Sequence, residues 1–234
     1  MTDPTKHVSV FDGLPDAPSD NEREKMGKAL VLRVCGPNGE SYNGFRWPLT
    51  VGSEVVAPDW KPVAECGNGL HGWLYGAGDH TAADIRDGAK WLVVEVDESS
   101  IIMIGGKCKY PKGTVRFVGN MPDAAVYIRE HEDRAKSCAV IGAVVSVGDG
   151  ESAVVGAFGT ATAGDRGTAT AGYSGTATAG AFGTATAGDS GTIVIKWYGR
   201  GADRYRRTVG YVGEQGIEAN AAYRCDEAGK LVRA

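Results

Sequence analysis

Residues 159–192 read GTATAGDR, GTATAGYS, GTATAGAF, GTATAGDS and GT, so four copies of one eight-residue unit follow each other without interruption. Only the last two positions of each unit vary. A short and nearly exact repeat is typical of a stacked array in which each unit packs on its neighbours, rather than of a globular core. This stretch therefore determines the predicted fold of the second half of the chain.

The T-A-T-A segment of each unit predicts a strand with two chemically different sides. Successive side chains of a strand point to opposite faces, so the threonines share one side and the alanines the other. The glycines flank a tight reversal whose corner holds the variable pair. Two units per turn give a flattened coil of about sixteen residues, with coils about 4.8 Å apart and threonines of one strand about 6.7 Å apart.

The sequence thus predicts a β-solenoid with a methyl-only interior, because larger side chains do not fit between walls that lie close together. The predicted interior residues are Ala161, Ala163, Ala169, Ala171, Ala177, Ala179, Ala185 and Ala187. The predicted assembly or display face consists of Thr160, Thr162, Thr168, Thr170, Thr176, Thr178, Thr184 and Thr186.

The flanks of the array predict caps and a preceding domain. Residues 143–158 fit the eight-residue frame with larger side chains, as expected of a cap on the first coil. After Gly191 the sequence predicts strands at Tyr205–Tyr211, Ala222–Cys225 and Lys230–Arg233. The predicted organisation is a flexible leader at 1–27, an α+β head domain at 28–137, the β-solenoid at 138–192 and a β-rich C-terminal cap at 193–234.

Within the head, short runs rich in β-branched residues predict strands, and capping signals predict helices. The predicted strands are Ala29–Cys35, Trp91–Val96, Ile101–Ile104 and Val115–Val118. The predicted helices are Thr81–Asp87 and Asp123–Lys136, the second of which follows Pro122.

Composition and charge exclude several classes of protein. The 234 residues carry a net charge of −4, which argues against non-specific nucleic-acid binding. No apolar run reaches the roughly 18–20 residues of a membrane span, and residues 1–18 lack the pattern of a cleaved signal. The five cysteines include no C-x-x-C pair, so we expect reduced thiols and a cytoplasmic location.

Four of the five tryptophans lie in the head domain, where they indicate either core packing or an aromatic-lined pocket near residues 67–78. The candidate pocket residues are Arg46, Trp47, Trp60, His71, Trp73 and Tyr75. The spacing of Cys66, His71, Asp79 and His80 matches no standard zinc pattern, so neither a metal nor a cofactor is predicted. No catalytic motif stands out.

The repeat at residues 143–192 resembles the threonine-rich repeats of bacterial ice-nucleation proteins and of solenoid antifreeze proteins. The resemblance implies a surface of threonine ranks that faces ice.

A second resemblance concerns the head domain and rests on five segments. These are GFRWP (44–48), APDW (57–60), ECGNGLHGWLYG (65–76), WLVVEVD (91–97) and GGKCKYPKGTV (105–115). Together they resemble an uncharacterised domain of phage, prophage and actinobacterial proteins, over about residues 28–130. This resemblance implies an accessory phage-type gene product, located in the host-cell cytoplasm if it is phage-encoded, or in the virion.

The order G-L-H, short helix and W-L-V-V-E-V-D is also similar to ADP-ribosyltransferase-like folds. That similarity implies that His71 contacts a nicotinamide nucleotide and that Arg33 or Arg46 contacts its phosphates. The sequence departs from the family pattern at Glu130-x-Glu132, because these residues fall in a predicted helix, where the two side chains diverge.

Taken together, these features favour a non-enzymatic phage or prophage accessory protein. Its solenoid would drive homo-oligomerisation or act as a rigid spacer, and its head would bind a host-defence component, which it would inhibit, or a virion surface. Two alternatives remain open, namely an ADP-ribosyltransferase-like or small-nucleotide-binding protein and an ice-binding protein that uses the threonine ranks.

Overall fold

The computed structural model describes residues 27–83 and 86–234. The predicted leader therefore lies outside the described residues, apart from its last residue, and so does part of the predicted helix at Thr81–Asp87. Of that helix, a short 3-10 turn at His80–Ala82 is described. No helix of the described ranges is long and apolar enough to cross a membrane.

The head is built on one antiparallel sheet of seven strands in the order β2-β7-β4-β1-β3-β6-β5. The strands are β1 Lys28–Cys35, β2 Glu54–Val56, β3 Leu70–Leu74, β4 Lys90–Asp97, β5 Ile102–Met103, β6 Cys108–Tyr110 and β7 Lys112–Gly119. Each of the four predicted strands has a counterpart among them. The head is nevertheless more strand-rich than the predicted α+β domain.

One α-helix, α1 at Met121–His131, covers one side of this sheet. Asn120 caps it by accepting a hydrogen bond from the Asp123 backbone N–H at 2.9 Å. The predicted helix at Asp123–Lys136 was too long at its C-terminal end. Glu132 leaves the helical conformation and turns its carboxylate inward to the Leu30 N–H, and residues 133–137 continue as a 3-10 turn.

Strand alternation divides the head residues between two hydrophobic cores. In β1, Leu30, Leu32 and Val34 pack with α1 in a core that continues into the second half of the chain. Val31 and Cys35 point to the other side and pack with Trp47 under the loops of residues 36–69. The head sheet thus has a helix side, joined to the rest of the molecule, and a loop side.

The second half of the chain forms the predicted β-solenoid of about three coils. Its strands are β8 Val144–Ser146, β9 Ser152–Val154, β10 Thr160–Ala163, β11 Thr168–Ala171, β12 Thr176–Ala179, β13 Thr184–Ala187 and β14 Thr192–Gly199. Thr160 pairs in parallel with Thr176, sixteen residues later, and Thr168 pairs with Thr184 in the opposite wall. Every interior alanine of the repeats is buried.

The corners of the coils depend on left-handed backbone and on glycine. The second corner residue has φ between 49° and 60° at Arg166, Ser174, Phe182 and Ser190. Such a β-turn normally favours Gly or Asn at this position. The next residue must be Gly, because a Cβ at Gly167 would lie 2.8 Å from both the Ala163 Cβ and the Glu151 carbonyl oxygen.

Both ends of the array are covered. The core of the head runs without interruption through Val140, Ile141 and Ala143 into the first coil. At the far end, β14 pairs antiparallel with β15 Arg204–Tyr211. In the other wall, β13 pairs antiparallel with β16 Ala222–Cys225, and β16 pairs antiparallel with β17 Leu231–Arg233. In β14, Ile193 and Ile195 occupy the inward positions that alanine holds in the repeats, and both are buried beneath this cap.

We predict that Ala177→Leu destabilises the protein by about 1–3 kcal/mol, because the interior has no room for three more carbon atoms. Thr178→Val is the matched control, since its side chain lies on the outer side of the same strand and should change stability by less than about 0.5 kcal/mol. Chemical denaturation measures both. Equal effects of the two variants would contradict the methyl-only interior.

We also predict that Ser174→Gly raises the free energy of unfolding by about 0.5–1 kcal/mol. Glycine relieves the left-handed strain of this corner, and this gain exceeds the entropy that glycine adds to the unfolded chain. Thermal unfolding of Ser174→Gly beside Thr176→Gly checks the prediction, because the second change falls in extended backbone and should destabilise. A loss of stability in Ser174→Gly would show that the corner is not strained.

Candidate functional site

The solenoid presents two flat faces of stacked threonines. The first face is the outer side of β8, β10, β12 and β14, and the second face is the outer side of β9, β11 and β13. Because the parallel ladders run in register, each threonine lies directly above the equivalent threonine of the preceding coil. The structure places all eight predicted display residues at outward positions, alternating with buried alanines.

The two faces differ in extent. The first face has four parallel strands, and its ranks run Val144–Thr160–Thr176–Thr192 and Ser146–Thr162–Thr178–Val194. The second face has three parallel strands before the antiparallel β16 interrupts the pattern. The first face therefore offers the longer regular surface.

Hydrogen bonds at the corners hold the coils in register. The Asp149 carboxylate accepts from the Asp165 N–H at 2.7 Å, and the Asp165 carboxylate accepts from the Ala181 N–H at 2.8 Å, one coil further on. Lys196 lies 2.6 Å from the same Asp165 carboxylate. The hydrogen bonds from Lys196 and from the Ala181 N–H hold the pKa of Asp165 below its usual value.

Aromatic rings join the head to one edge of the coils. His80 of the head stacks on Tyr173 with ring centroids 4.4 Å apart, and Phe158 meets both rings edge-on. Phe158 and Tyr173 are corner residues of successive coils. The variable pair of the repeat thus sets a contact that fixes the head against the array.

The head contains a second candidate site, a cavity of about 570 Å³ on the loop side of the sheet. Arg33, His71 and Lys107 contribute its basic groups, and Phe45 and Trp47 contribute aromatic wall. The volume is in the usual range of small-molecule pockets. Arg33 reaches it because strand alternation in β1 directs this residue to the same side as Val31 and Cys35.

Burial and positive charge keep His71 neutral in this cavity. Burial, followed by the charges of Lys107 and Arg33, lowers the pKa of His71 from 6.5 to about 4. Its Nε2 is buried and has no hydrogen-bond partner among the residues that the structure describes. At neutral pH the ring is therefore uncharged.

The structure brings three of the six predicted pocket residues to the cavity, namely Trp47, His71 and Trp73. The other three lie elsewhere. Arg46 is exposed and reaches the Asn38 carbonyl, Trp60 packs near the Lys109 ammonium at 5.7 Å, and Tyr75 lies under the Arg134 guanidinium.

Sequence reasoning placed Arg33 beside a nucleotide phosphate through the ADP-ribosyltransferase resemblance but left it out of the pocket residues. The signal that could have added it is an arginine at an inward position of an otherwise apolar strand, KALVLRVC.

The acidic residues of the transferase-like interpretation do not reach the cavity. Glu130 is exposed on α1, and the Glu132 carboxylate is occupied by the Leu30 N–H and by Arg134 at 2.6 Å. Cys66 and His71 both line the cavity, whereas Asp79 caps the turn at Thr81. Among the residues the structure describes, no group of three or more His, Cys, Asp or Glu side chains is arranged to hold a metal ion.

We predict that the His71 imidazole titrates near pH 4 and that Lys107→Gln moves this midpoint upward, because the variant removes a neighbouring positive charge. NMR chemical shifts of the ring measure the titration. Arg46→Gln is the control, since this exposed side chain should leave the midpoint unchanged. The folded pKa lies below the unfolded value, so His71 lowers stability as the pH falls from about 6.5 to about 4. A midpoint near 6.5 in the folded protein would contradict the burial of this ring.

Comparison with known proteins relates the chain to one domain family and to one group of curated proteins. A family model described as a domain of unknown function (DUF7666) matches residues 29–129, which is the head. No solved structure matches the chain significantly.

The curated relatives are ice nucleation proteins. Ice nucleation protein InaU of Pantoea ananas is 34% identical over 116 residues, which cover 49% of this chain and 11% of that protein. The ice nucleation protein of Pseudomonas fluorescens is 32% identical over 116 residues, 49% of this chain and 9% of the relative. That of Xanthomonas campestris pv. translucens is 36% identical over 103 residues, 43% of this chain and 6% of the relative.

This chain thus spans about a tenth or less of the length of these relatives. The similarity confirms the predicted resemblance of the repeats to those of ice nucleation proteins. It gives no support to the predicted phage, prophage or actinobacterial connection of the head, or to the phage-type accessory role built on it.

Proposed function

We propose that the solenoid is an ice-binding element and that the first face is its binding surface. One observation carries the proposal, namely the in-register stacking of Thr160, Thr162, Thr176 and Thr178 on a flat parallel sheet. The curated relatives support it, because each is named an ice nucleation protein. They favour this interpretation over the partner-binding role that the sequence first suggested.

The proposed mechanism follows from the chemistry of threonine. Each hydroxyl both donates and accepts hydrogen bonds, so a row of them can hold a row of water molecules. The β-branched side chain is stiff at χ1, and the ladder beneath it fixes the spacing, so the hydroxyls keep their positions without a further loss of entropy. Water molecules held at regular spacings in two dimensions can join a growing ice crystal. Hydroxyl groups at irregular spacings would not order such a layer of water.

The size of the face limits what it can do. Four parallel strands about 4.8 Å apart span about 14 Å along the stack. Each rank adds only a few weak contacts, so the affinity for a crystal surface grows with the number of coils. We therefore propose that this chain adsorbs to ice and changes crystal growth, rather than nucleating ice as a single molecule.

We predict that the double variant Thr176→Lys with Thr178→Lys loses activity in ice-recrystallisation and crystal-shaping assays. Two long charged side chains disrupt the flat face without entering the interior. Ser174→Lys is the control for an added lysine, because it places one on a corner of the same coil and should keep wild-type activity. Circular dichroism and thermal unfolding confirm that all variants are folded.

Thr184→Lys with Thr186→Lys tests the choice of face, since these residues occupy the same positions on the second face. We expect this variant to keep most of the activity. Loss of activity only in this second variant would assign binding to the second face. An inactive wild-type protein, or wild-type activity in every variant, would reject ice binding by the solenoid.

Self-association through the array and partner binding by the head both stay predictions. Both ends of the solenoid are covered, by the head at one end and by β15–β17 at the other, so end-to-end stacking of coils would require these caps to open. Association would therefore use the sides of the array. Light scattering on the full chain measures the mass, and a monomer at all concentrations would remove this prediction.

A further inference from the structure

The head cavity contains a cation that the described residues leave without a counter-ion. The Arg33 guanidinium donates to the His71 carbonyl at 3.2 Å and to the Ser41 Oγ at 2.6 Å, both of which are neutral acceptors. Its Nε is buried and has no hydrogen-bond partner in the described part of the chain. Within residues 27–83 and 86–234, no carboxylate forms an ion pair with it. Burial lowers the pKa of Arg33 from its usual value.

Arg33 is partly buried, and a charge withdrawn from water without an opposite charge beside it lowers the stability of the fold. The position is not forced by the fold, since Val31 and Cys35, the neighbours of Arg33 on the same side of β1, are ordinary buried residues. A hydrophobic residue would fit this alternating pattern without the cost. The guanidinium is therefore best explained by a negative group that it meets in the cavity.

Other groups around Arg33 reinforce this preference for an anion. The Trp47 Nε1 and the His71 Nε2 are also buried, and no described residue forms a hydrogen bond with either. The Lys107 side chain lines the same cavity and lies close enough to His71 to lower its pKa. Asp59 is the one carboxylate on the lining, and it accepts a hydrogen bond from the Asn68 amide at 3.3 Å. The balance of charge on the lining is positive.

The walls indicate the shape of the bound molecule. The Arg33 guanidinium lies over the Trp47 ring, 5.2 Å from its centroid, and Phe45 meets the same ring edge-on at 5.9 Å. Tyr42 completes the aromatic lining. Flat walls of this kind stack on planar rings, and a guanidinium fork matches a carboxylate or phosphate.

We propose that this cavity binds a small organic acid in which a planar ring carries one carboxylate or phosphate group. The acid group meets Arg33, and the ring packs between Phe45, Trp47 and Tyr42. Carboxylate and phosphate share the chemistry that Arg33 recognises, so the experiment distinguishes them. The site lies in the head and is independent of ice binding by the solenoid.

The experiment uses the full chain and four probes, namely benzoate, phenyl phosphate, inorganic phosphate and the neutral amide benzamide. Titration calorimetry and tryptophan fluorescence report binding, since Trp47 lines the cavity. We expect benzoate, phenyl phosphate or both to bind in the high-micromolar to millimolar range usual for ligands of this size. Inorganic phosphate and benzamide should bind about tenfold more weakly or not at all, because each lacks either the ring or the charge.

Arg33→Met is the decisive variant. It should weaken acid binding by about 10- to 100-fold, because a charge-assisted hydrogen-bonding group is lost. Its melting temperature should stay the same or rise, because the variant also removes an uncompensated charge. If Arg33 served only to stabilise the fold, Arg33→Met would instead lower the melting temperature. Arg46→Gln is the matched control, since this exposed arginine of the same region does not line the cavity, and it should bind like the wild type.

Several results would overturn the proposal. One is that neither benzoate nor phenyl phosphate binds the wild-type protein at millimolar concentration. Another is that benzamide binds as tightly as benzoate, which would show that charge plays no part. Equal losses in Arg33→Met and Arg46→Gln would exclude a specific site. If Arg33→Met does not fold, Lys107→Gln replaces it, and an unchanged affinity for the acids in that variant would also reject the proposal.

Discussion

The absence of any side chain larger than a methyl group inside the repeats is the constraint on which the second half of this molecule depends. Alanine at every inward position allows the two walls of each coil to approach closely, and that approach sets the corner geometry. A corner so tight requires left-handed backbone at its second position and glycine after it. Because those demands recur in every unit, the sequence repeats almost without variation. The flatness of both threonine faces follows from the same closeness.

A methyl-only interior also explains why the array cannot stand alone. Methyl groups bury little apolar area, so each coil gains less from burial than an ordinary core does. The caps compensate with larger residues. Val140 and Ile141 seal the first coil against the head, and Ile193, Ile195 and Tyr223 seal the last coil against the C-terminal strands. The backbone ladders fix the register between the caps, and the caps contribute the apolar burial that the repeats lack.

The periodic half of the chain could be predicted in some detail, whereas the head could not. An exact repeat with alternating threonine and alanine determines the strand positions, the coil length and the direction of each side chain by local geometry alone. In the head, the decisive contacts join residues far apart in sequence. The inward turn of Glu132, which ends α1 early, depends on the Leu30 N–H about a hundred residues away.

The difference between local and long-range contacts also explains which residues of the cavity could be predicted. Trp47, His71 and Trp73 could be selected because glycine-rich loops and tryptophans are local signals, but nothing local separates them from Arg46, Trp60 and Tyr75. Arg33 could be linked to a phosphate only by family resemblance, because its place in the cavity depends on how β1 pairs with β3 and on which loop covers that side of the sheet.

The proposed threonine face belongs to the solenoid and the cavity belongs to the head, and this arrangement bears on how the two sites can act together. The helix side shares its core with the solenoid, and the His80–Tyr173 stack adds a second point of attachment, so the head and the array form one continuous packed unit. The cavity lies beside the other core, which contributes Trp47 and Leu70 to its lining. A molecule bound there would not need to disturb the threonine faces, because the cavity is lined by residues of the head. The rigid connection between head and array would instead carry whatever the head holds to the surface on which the threonines lie.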